Sequence, residues 1–261
     1  AIAAFMINAL FYVPLLVVLF TWRRVKEAPR LPPERMGRAI ISGVRYIIHS
    51  ASIRVVLIRT LLLGSSGASI LALMPLVARD LLGGSAETYG IMLGAFGIGA
   101  ILGALGISWV RARFNGEAAV SGCAALMGLS VLVVSHSGHP LLTGMALVCA
   151  GFGGMLAMAV VNIAIQLSAP RWVAGRALAA FQAAATGGIA IGAWVWGHAA
   201  QSYGTAGALT KSGCALLLLP LIGLWLRIPS TSPSNDGARE LLKDPEGGLA
   251  STGRSGPVFV E

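Results

Sequence analysis

Long apolar runs separated by short polar segments dominate this chain of 261 residues. A helix that crosses the hydrocarbon core of a bilayer needs about 20 apolar residues. The runs that approach or exceed that length are 1–22, 55–78, 89–110, 118–134, 141–167, 177–200 and 206–226. We expect helices here, because the runs show no period-two alternation and an unpaired strand backbone in lipid is costly. The pattern predicts an all-α, polytopic transmembrane helix bundle.

The connections between the runs set the arrangement of the bundle. Most are short, such as 111–117 and 201–205, so neighbouring helices should run antiparallel. The segment 23–53 is longer and begins with a Pro-rich stretch at 27–33, which cannot be helical. After this stretch, polar and apolar residues alternate at three- and four-residue spacing, which predicts an amphipathic helix. We interpret that helix as a belt joining two parts of a bundle, with membrane sensing as the alternative.

The composition agrees with a chain whose surface is covered by lipid. Charged residues make up 11% of the sequence, whereas soluble domains carry about 25%. The net charge of +9 does not indicate nucleic-acid binding, because the basic residues lie in the polar segments between the runs. The three cysteines lie inside apolar runs without ligand partners, and His136 and His139 are too few for a metal site. We therefore predict no metal and no cofactor.

The distribution of Lys and Arg predicts the orientation in the membrane. Arginines are concentrated in segment 23–54 and in the connections on the same side, whereas the other side has only Arg79 and Lys211. Such asymmetry places the arginine-rich side in the cytoplasm. The first run would then cross from outside to inside, and the C-terminus would be cytoplasmic.

A few polar residues lie at membrane depth, and they are the candidates for a substrate pathway: Arg59, Ser65, Ser69, Asn162, Gln166, Gln182 and Thr186. Polar groups at this depth should face the bundle interior or an aqueous cavity. We hypothesise one central cavity shared by Ser65, Ser69, Asn162, Gln182 and Thr186, with hydrogen bonding between helices as the alternative for each. No Asp or Glu lies inside a run, and no catalytic cluster indicates an enzyme.

Three glycine pairs at small-xxx-small spacing lie in the apolar runs: Gly90/Gly94, Gly99/Gly103 and Gly188/Gly192. Glycines at this spacing let two helix backbones approach closely in lipid, where apolar side chains have no preference for one another over the acyl chains. We predict close helix contacts at these pairs.

Several segments resemble the second half of a major facilitator superfamily transporter, in the bacterial branch of enterobactin-exporter-like proteins, the transmembrane secretion effectors. The segments are 43–46 with 54–57, 72–83, the glycine pattern of 89–104, and Pro170 with 175–177. The resemblance implies that the seven runs are helices six to twelve. It also implies cytoplasmic gate loops carrying Arg111, Arg113, Arg171 and Arg176, although the first of these loops lacks the Asp of the superfamily motif.

The resemblance also implies a domain division and a function. Residues 1–22 would be the last helix of an N-terminal bundle, 23–53 a linker, 54–228 a six-helix bundle and 229–261 a disordered tail. The expected function is secondary active export of small organic molecules across the bacterial inner membrane by alternating access. The expected partners are the lipid bilayer, a small-molecule substrate and an N-terminal half that precedes Ala1, without which the chain should not transport. The alternative is a non-transporting scaffold or receptor.

Labelling of introduced cysteines in intact cells tests the orientation. Cysteines at Ser137 and Ser202 should react with an impermeant thiol reagent from outside, because they lie in the connections poor in Lys and Arg. Cysteines at Ala112 and Ala174 should not react. The reverse pattern would overturn the predicted orientation.

Overall fold

The structure is a computed structural model that describes residues 2–22, 36–169 and 173–225. The regular structure of these residues is helical, which confirms the predicted all-α class. The helices are α1 Ile2–Thr21, α2 Met36–His49, α3 Ala51–Leu76, α4 Ala86–Arg113, α5 Gly116–His136, α6 Pro140–Ser168 and α7 Ala174–Trp225, and a π-helical turn, Val77–Leu81, continues α3. The Pro-rich stretch 27–33, Arg171 and the predicted tail 229–261 lie outside the described residues.

Internal contacts divide the chain into two units, 1–39 and 40–261. The first unit contains α1, whose large apolar side chains are exposed, up to 89% for Phe20. Helix α1 has 20 residues, about the length of a spanning helix, and its crossing of the membrane stays a prediction. In the second unit, the described residues include five helical segments that are long and apolar enough to cross a membrane.

Helix α7 combines the last two predicted runs. Its 52 residues would extend for about 78 Å as one straight helix, more than twice the thickness of a hydrocarbon core. At Gly204 the backbone leaves the helical region, with φ 75° and ψ 166°. We name residues 174–203 α7a and residues 205–225 α7b. The connection expected over 201–205 therefore consists of one residue, Gly204. A single residue suffices because glycine readily adopts a positive φ that other residues disfavour.

Contacts with α3 show that the chain reverses at Gly204. The contacting positions on α3 and α7 are, in order along α3, Leu61–Gly188, Ser65–Gly192, Ser69–Ser212 and Asp80–Thr205. Residue numbers rise together for α7a and in opposite directions for α7b. Helix α7a therefore runs parallel to α3 and α7b runs antiparallel to it, as expected for two separate crossings.

The second unit is built around four buried helix contacts. Helix α3 packs mainly on α7, α5 packs on both α6 and α7, and α4 packs on α6. The core between these helices contains large, fully enclosed apolar side chains such as Leu73, Met74 and Leu156. Helix α2 ends at His49, and the Ser50 hydroxyl then caps α3 by accepting a hydrogen bond from the backbone N–H of Ile53 at 3.5 Å. This cap explains why α3 begins before the predicted apolar run.

Two of the three predicted glycine pairs bring helices together. Gly99 and Gly103 lie against the α6 backbone, and a Cβ at Gly103 would come within 2.6 Å of the Phe152 carbonyl oxygen. Gly188 and Gly192 lie in the same way against the α3 backbone. For Gly90 and Gly94, no neighbouring helix among the described residues lies within 4 Å of a Cβ placed there, so close contact at this pair stays a prediction.

Helix ends also revise two loop positions. Helix α4 continues to Arg113, so Arg111 and Arg113 lie in its last turn. Positive charges at this end of a helix interact favourably with the helix dipole. Ser137, chosen above as a labelling position, is buried and accepts a hydrogen bond from Thr143 at 3.1 Å. Its exposed neighbour Gly138 is therefore the better position for the cysteine.

Substitution of glycine by alanine should separate packed from open positions. Gly99→Ala and Gly192→Ala should lower the unfolding temperature, because the new methyl group would clash with a carbonyl oxygen of the neighbouring helix. Gly94→Ala is the control and should leave it unchanged or raise it, since alanine favours an unobstructed helix by about 0.5–1 kcal/mol. Thermal unfolding of the purified proteins in one detergent measures the difference. Equal shifts in all three variants would contradict the packing described here.

Candidate functional site

An ion pair between buried Arg59 and half-buried Glu117 joins α3 to α5 at the end of the bundle that carries Arg111, Arg113 and Arg176, here called the basic end. Arg59 of α3 is only 7% exposed, and its guanidinium donates to the carboxylate of Glu117 in the first turn of α5. Ser121 donates a second hydrogen bond to that carboxylate at 3.2 Å. A Cβ at Gly223 of α7b would lie 2.5 Å from Glu117 Oε1 and 2.7 Å from Arg59 Nη2. The absence of a side chain at Gly223 therefore allows α7b to close over the pair.

The ion pair places Arg59 in a contact between helices. A guanidinium at this depth is costly in lipid unless a counter-charge accompanies it. Glu117 supplies that charge, and its position at a helix N-terminus favours the ionised carboxylate. A role for Arg59 in a substrate pathway stays a prediction. Its contacts are those expected from the alternative, hydrogen bonding between helices.

Ser65 and Ser69 also lie in contacts between helices. The Ser65 carbonyl oxygen accepts a hydrogen bond from the Trp196 indole N–H at 2.7 Å, which joins α3 to α7a. The Ser69 hydroxyl is fully buried and accepts from the Ser212 hydroxyl at 2.7 Å, which joins α3 to α7b. These two serines therefore hold α3 between the two halves of α7.

The remaining polar candidates lie nearer the surface of the second unit. Gln166 donates to the side-chain oxygen of Asn162 one turn away on α6. Gln182 and Thr186 are exposed on one face of α7a. The structure thus does not gather the five hypothesised residues around one cavity, because Ser69 is enclosed between helices while Gln182 and Thr186 are not.

The arginines expected in gate loops lie at the helix ends. Arg111 and Arg113 are exposed in the last turn of α4. Arg176 lies in the first turn of α7, where its side chain packs against Gly43 of α2. Arg171 lies outside the described residues. Their role in gating stays a prediction.

An open cavity of about 730 Å³ lies at the opposite end of the bundle, between the π-helical turn and the reversal at Gly204. We call it the rim cavity. Arg79 donates through Nε to Asp80 Oδ1 at 2.7 Å, and Thr205 donates to Asp80 Oδ2 at 2.8 Å. The Tyr203 ring also lines the cavity, and Lys211 Nζ lies 2.7 Å from the centroid of that ring.

The sequence pattern identified Arg79 and Lys211 only as markers of topology and did not predict the rim cavity. The contact between Asp80 and Thr205 joins residues 125 positions apart, so no local pattern reveals it. Pro75 is a local signal of irregular helix geometry near this end of α3, because proline lacks an N–H donor and its ring clashes with the carbonyl one turn earlier. The π-helical turn begins two residues after it.

Metal-ligating side chains are not clustered in the described part of the chain. Among the described residues, no group of three or more His, Cys, Asp or Glu side chains lies close enough to hold an ion. The conspicuous polar features of the described bundle are instead the ion pair at the basic end and the charged rim cavity at the other.

An all-α bundle with several membrane-length helices and charged groups at both ends is the architecture of a multi-pass membrane protein. All residues from 1 to 261 match the profile of a family described as transmembrane secretion effector. The chain therefore belongs to this family and is a membrane transporter of the major facilitator superfamily. No curated protein matches the sequence.

Removal of the Glu117 carboxylate, which is half-buried, should destabilise the bundle. Glu117→Gln should lower the free energy of unfolding by about 1–3 kcal/mol, because the buried guanidinium of Arg59 loses the charge of Glu117. The double variant Arg59→Met with Glu117→Leu should recover most of that loss. Glu87→Gln, in the exposed first turn of α4, is the matched control and should change stability by less than about 0.5 kcal/mol. Denaturant unfolding in detergent measures the free energy of unfolding of each variant. An equal change for Glu117→Gln and Glu87→Gln would contradict a stabilising ion pair between Arg59 and Glu117.

Proposed function

We propose that the second unit is one bundle of a transporter that exports small organic molecules, siderophore-like or drug-like, by alternating access. The observation that carries the proposal is the uneven burial of its helices. In the most apolar windows of α3 and α5, 56% of residues are buried, against 17% for α4 and for α7. Helix α4 and the most apolar window of α7 therefore present most of their surface to something other than this bundle.

The exposed surface is not uniformly suited to lipid. Gln182 and Thr186 are exposed on α7a, and the open pair Gly90 and Gly94 lies on α4. Amide and hydroxyl groups at membrane depth normally face protein or water. Our proposal is that this surface faces a second bundle, with an aqueous substrate pathway between the two that includes Asn162 and Gln166 of α6.

The directions of the helices support a transporter half. Helices α3 and α7a run parallel, α7b runs opposite to them, and short connections make α4, α5 and α6 alternate. The triplets α3–α5 and α6–α7b then begin in opposite directions, as in inverted-topology repeats. Such repeats commonly place substrate sites at the interface between rocking elements.

The proposed placement in the cell follows the charge asymmetry. The basic end, with Arg111, Arg113 and Arg176, would face the cytoplasm of a bacterial inner membrane, and the C-terminus would lie on that side. Residues 1–22 would belong to the second bundle, contributed by an N-terminal half of the same protein. Residues 23–53 would link the two bundles along the membrane surface, and 54–228 would form the six-helix bundle.

Thiol accessibility tests the aqueous pathway. In a variant without the exposed Cys149 and Cys214, cysteines at Gln182 and Thr186 should react with a charged, impermeant methanethiosulfonate reagent, because thiolates form in water. Ile191 is the matched control: it is 52% exposed but lies about half a turn around α7a from Gln182. A cysteine there should remain unreactive in lipid. Equal reactivity at the three positions in membranes would contradict the pathway and favour a scaffold.

A further inference from the structure

We propose that the rim cavity is a binding site for an amphipathic anion, a molecule with a carboxylate or phosphate group and an apolar tail. The cavity lies at the opposite end from the Arg59–Glu117 pair and does not include the polar candidates of α6 and α7a. The proposal therefore goes beyond the transport pathway and does not depend on it.

The size and lining of the rim cavity fit a small amphipathic molecule. Its volume of about 730 Å³ lies within the range of about 300–1,000 Å³ that is typical of ligand sites. The lining is mostly apolar, with Leu73, Leu76 and Leu81 contributed by α3 and the π-helical turn. Polar side chains are few and include Arg79, Gln201 and Thr205. An apolar lining with a few polar groups orients an amphipathic ligand by its head group.

Asp80 is engaged by the protein itself, which disfavours a cationic ligand. One carboxylate oxygen accepts from Arg79 and the other from Thr205, at 2.7 and 2.8 Å. A cation that bound Asp80 would have to replace these donors. The carboxylate instead fixes Arg79 at the cavity, while the Arg79 side chain stays 73% exposed.

Two cations against one engaged carboxylate leave an excess of positive charge at the rim cavity. Arg79 uses Nε for Asp80, and a guanidinium has further N–H groups that can donate to an anion. Lys211 stacks on the Tyr203 ring, which is part of the lining. An arginine and a lysine beside an apolar cavity recognise carboxylates and phosphates, since charge-assisted hydrogen bonds to such groups are strong.

The π-helical turn gives this site its geometry. Val77–Leu81 continues α3 as a π-helical turn, which is wider than an α-helical turn. Arg79 and Asp80 both lie in this wider turn. Single π-helical turns are often found at functional sites. Opposite this turn, Gly204 allows α7 to reverse within one residue and brings Tyr203 and Thr205 to the other wall of the cavity.

Protection of a cysteine in the cavity wall tests the site. The protein without Cys149 and Cys214 is placed in neutral phosphatidylcholine nanodiscs, and Gln201→Cys is modified with uncharged N-ethylmaleimide. Decanoate should slow this reaction several-fold, whereas decyltrimethylammonium, a cation with the same tail, should not. Ser202→Cys is the matched control, because Ser202 is exposed beside Gln201 but does not line the cavity, and its rate should not change.

Charge variants connect the protection to the two cations. Arg79→Gln and Lys211→Gln should each raise the half-protecting concentration of decanoate by roughly tenfold, as expected for one lost charge-assisted contact. Arg79→Lys keeps the charge and should retain part of the protection, which separates charge from a failure to fold.

The source of the anion is distinguished by the lipid. If phosphatidylglycerol in the nanodisc protects Gln201→Cys without decanoate, the natural occupant is a lipid head group. If only decanoate protects, the occupant is a free amphipathic anion. Equal protection by the anion and the cation, protection that survives Arg79→Gln, or no protection by either anion would overturn the proposal. None of these results depends on the thiol accessibility of Gln182 and Thr186.

Discussion

Close contact between helix backbones at glycine is the interaction on which this bundle depends. In lipid, apolar side chains have no preference for each other over acyl chains, so helices associate where their backbones can approach. Gly99 and Gly103 provide that approach between α4 and α6, and Gly188 and Gly192 provide it between α7a and α3. The absence of a Cβ also lets polar groups meet, as where Trp196 reaches the Ser65 carbonyl oxygen beside Gly192.

The polar groups of the second unit follow the same geometry. Along α3, an ion pair at Arg59, a hydroxyl contact at Ser69 and a carboxylate contact at Asp80 lie at successive levels from the basic end to the rim cavity. Two of these three contacts have a partner on α7b, and the third is covered by Gly223 of α7b. Since buried polar contacts fix register, α7b is held against α3 at both ends and in the middle.

Much of the fold follows from the sequence because membrane helices have a strong local signal. Length and hydropathy located the helices of the second unit to within a few residues, and small-xxx-small spacing found two true contacts. At Gly90 and Gly94 the same spacing has no partner helix among the described residues, since a glycine pair permits contact but does not supply a partner. The reversal at Gly204 was expected as a loop of several residues, because only the backbone angles show that one residue suffices.

The site was harder to predict than the fold, for a physical reason. Depth along a helix can be read from sequence, and two of the polar residues selected by depth, Arg59 and Ser69, are buried within the bundle. Direction around the helix decides whether such residues meet each other, and it depends on how α3 and α7 are rotated. The rim cavity shows the same limit, because Asp80 and Thr205 lie in segments that converge only after α7 has reversed. The polar contacts along α3 hold its position between α7a and α7b, so the motion that alternating access would require, as proposed above, is more easily accommodated at the exposed surfaces of α4 and α7a than within this three-helix group.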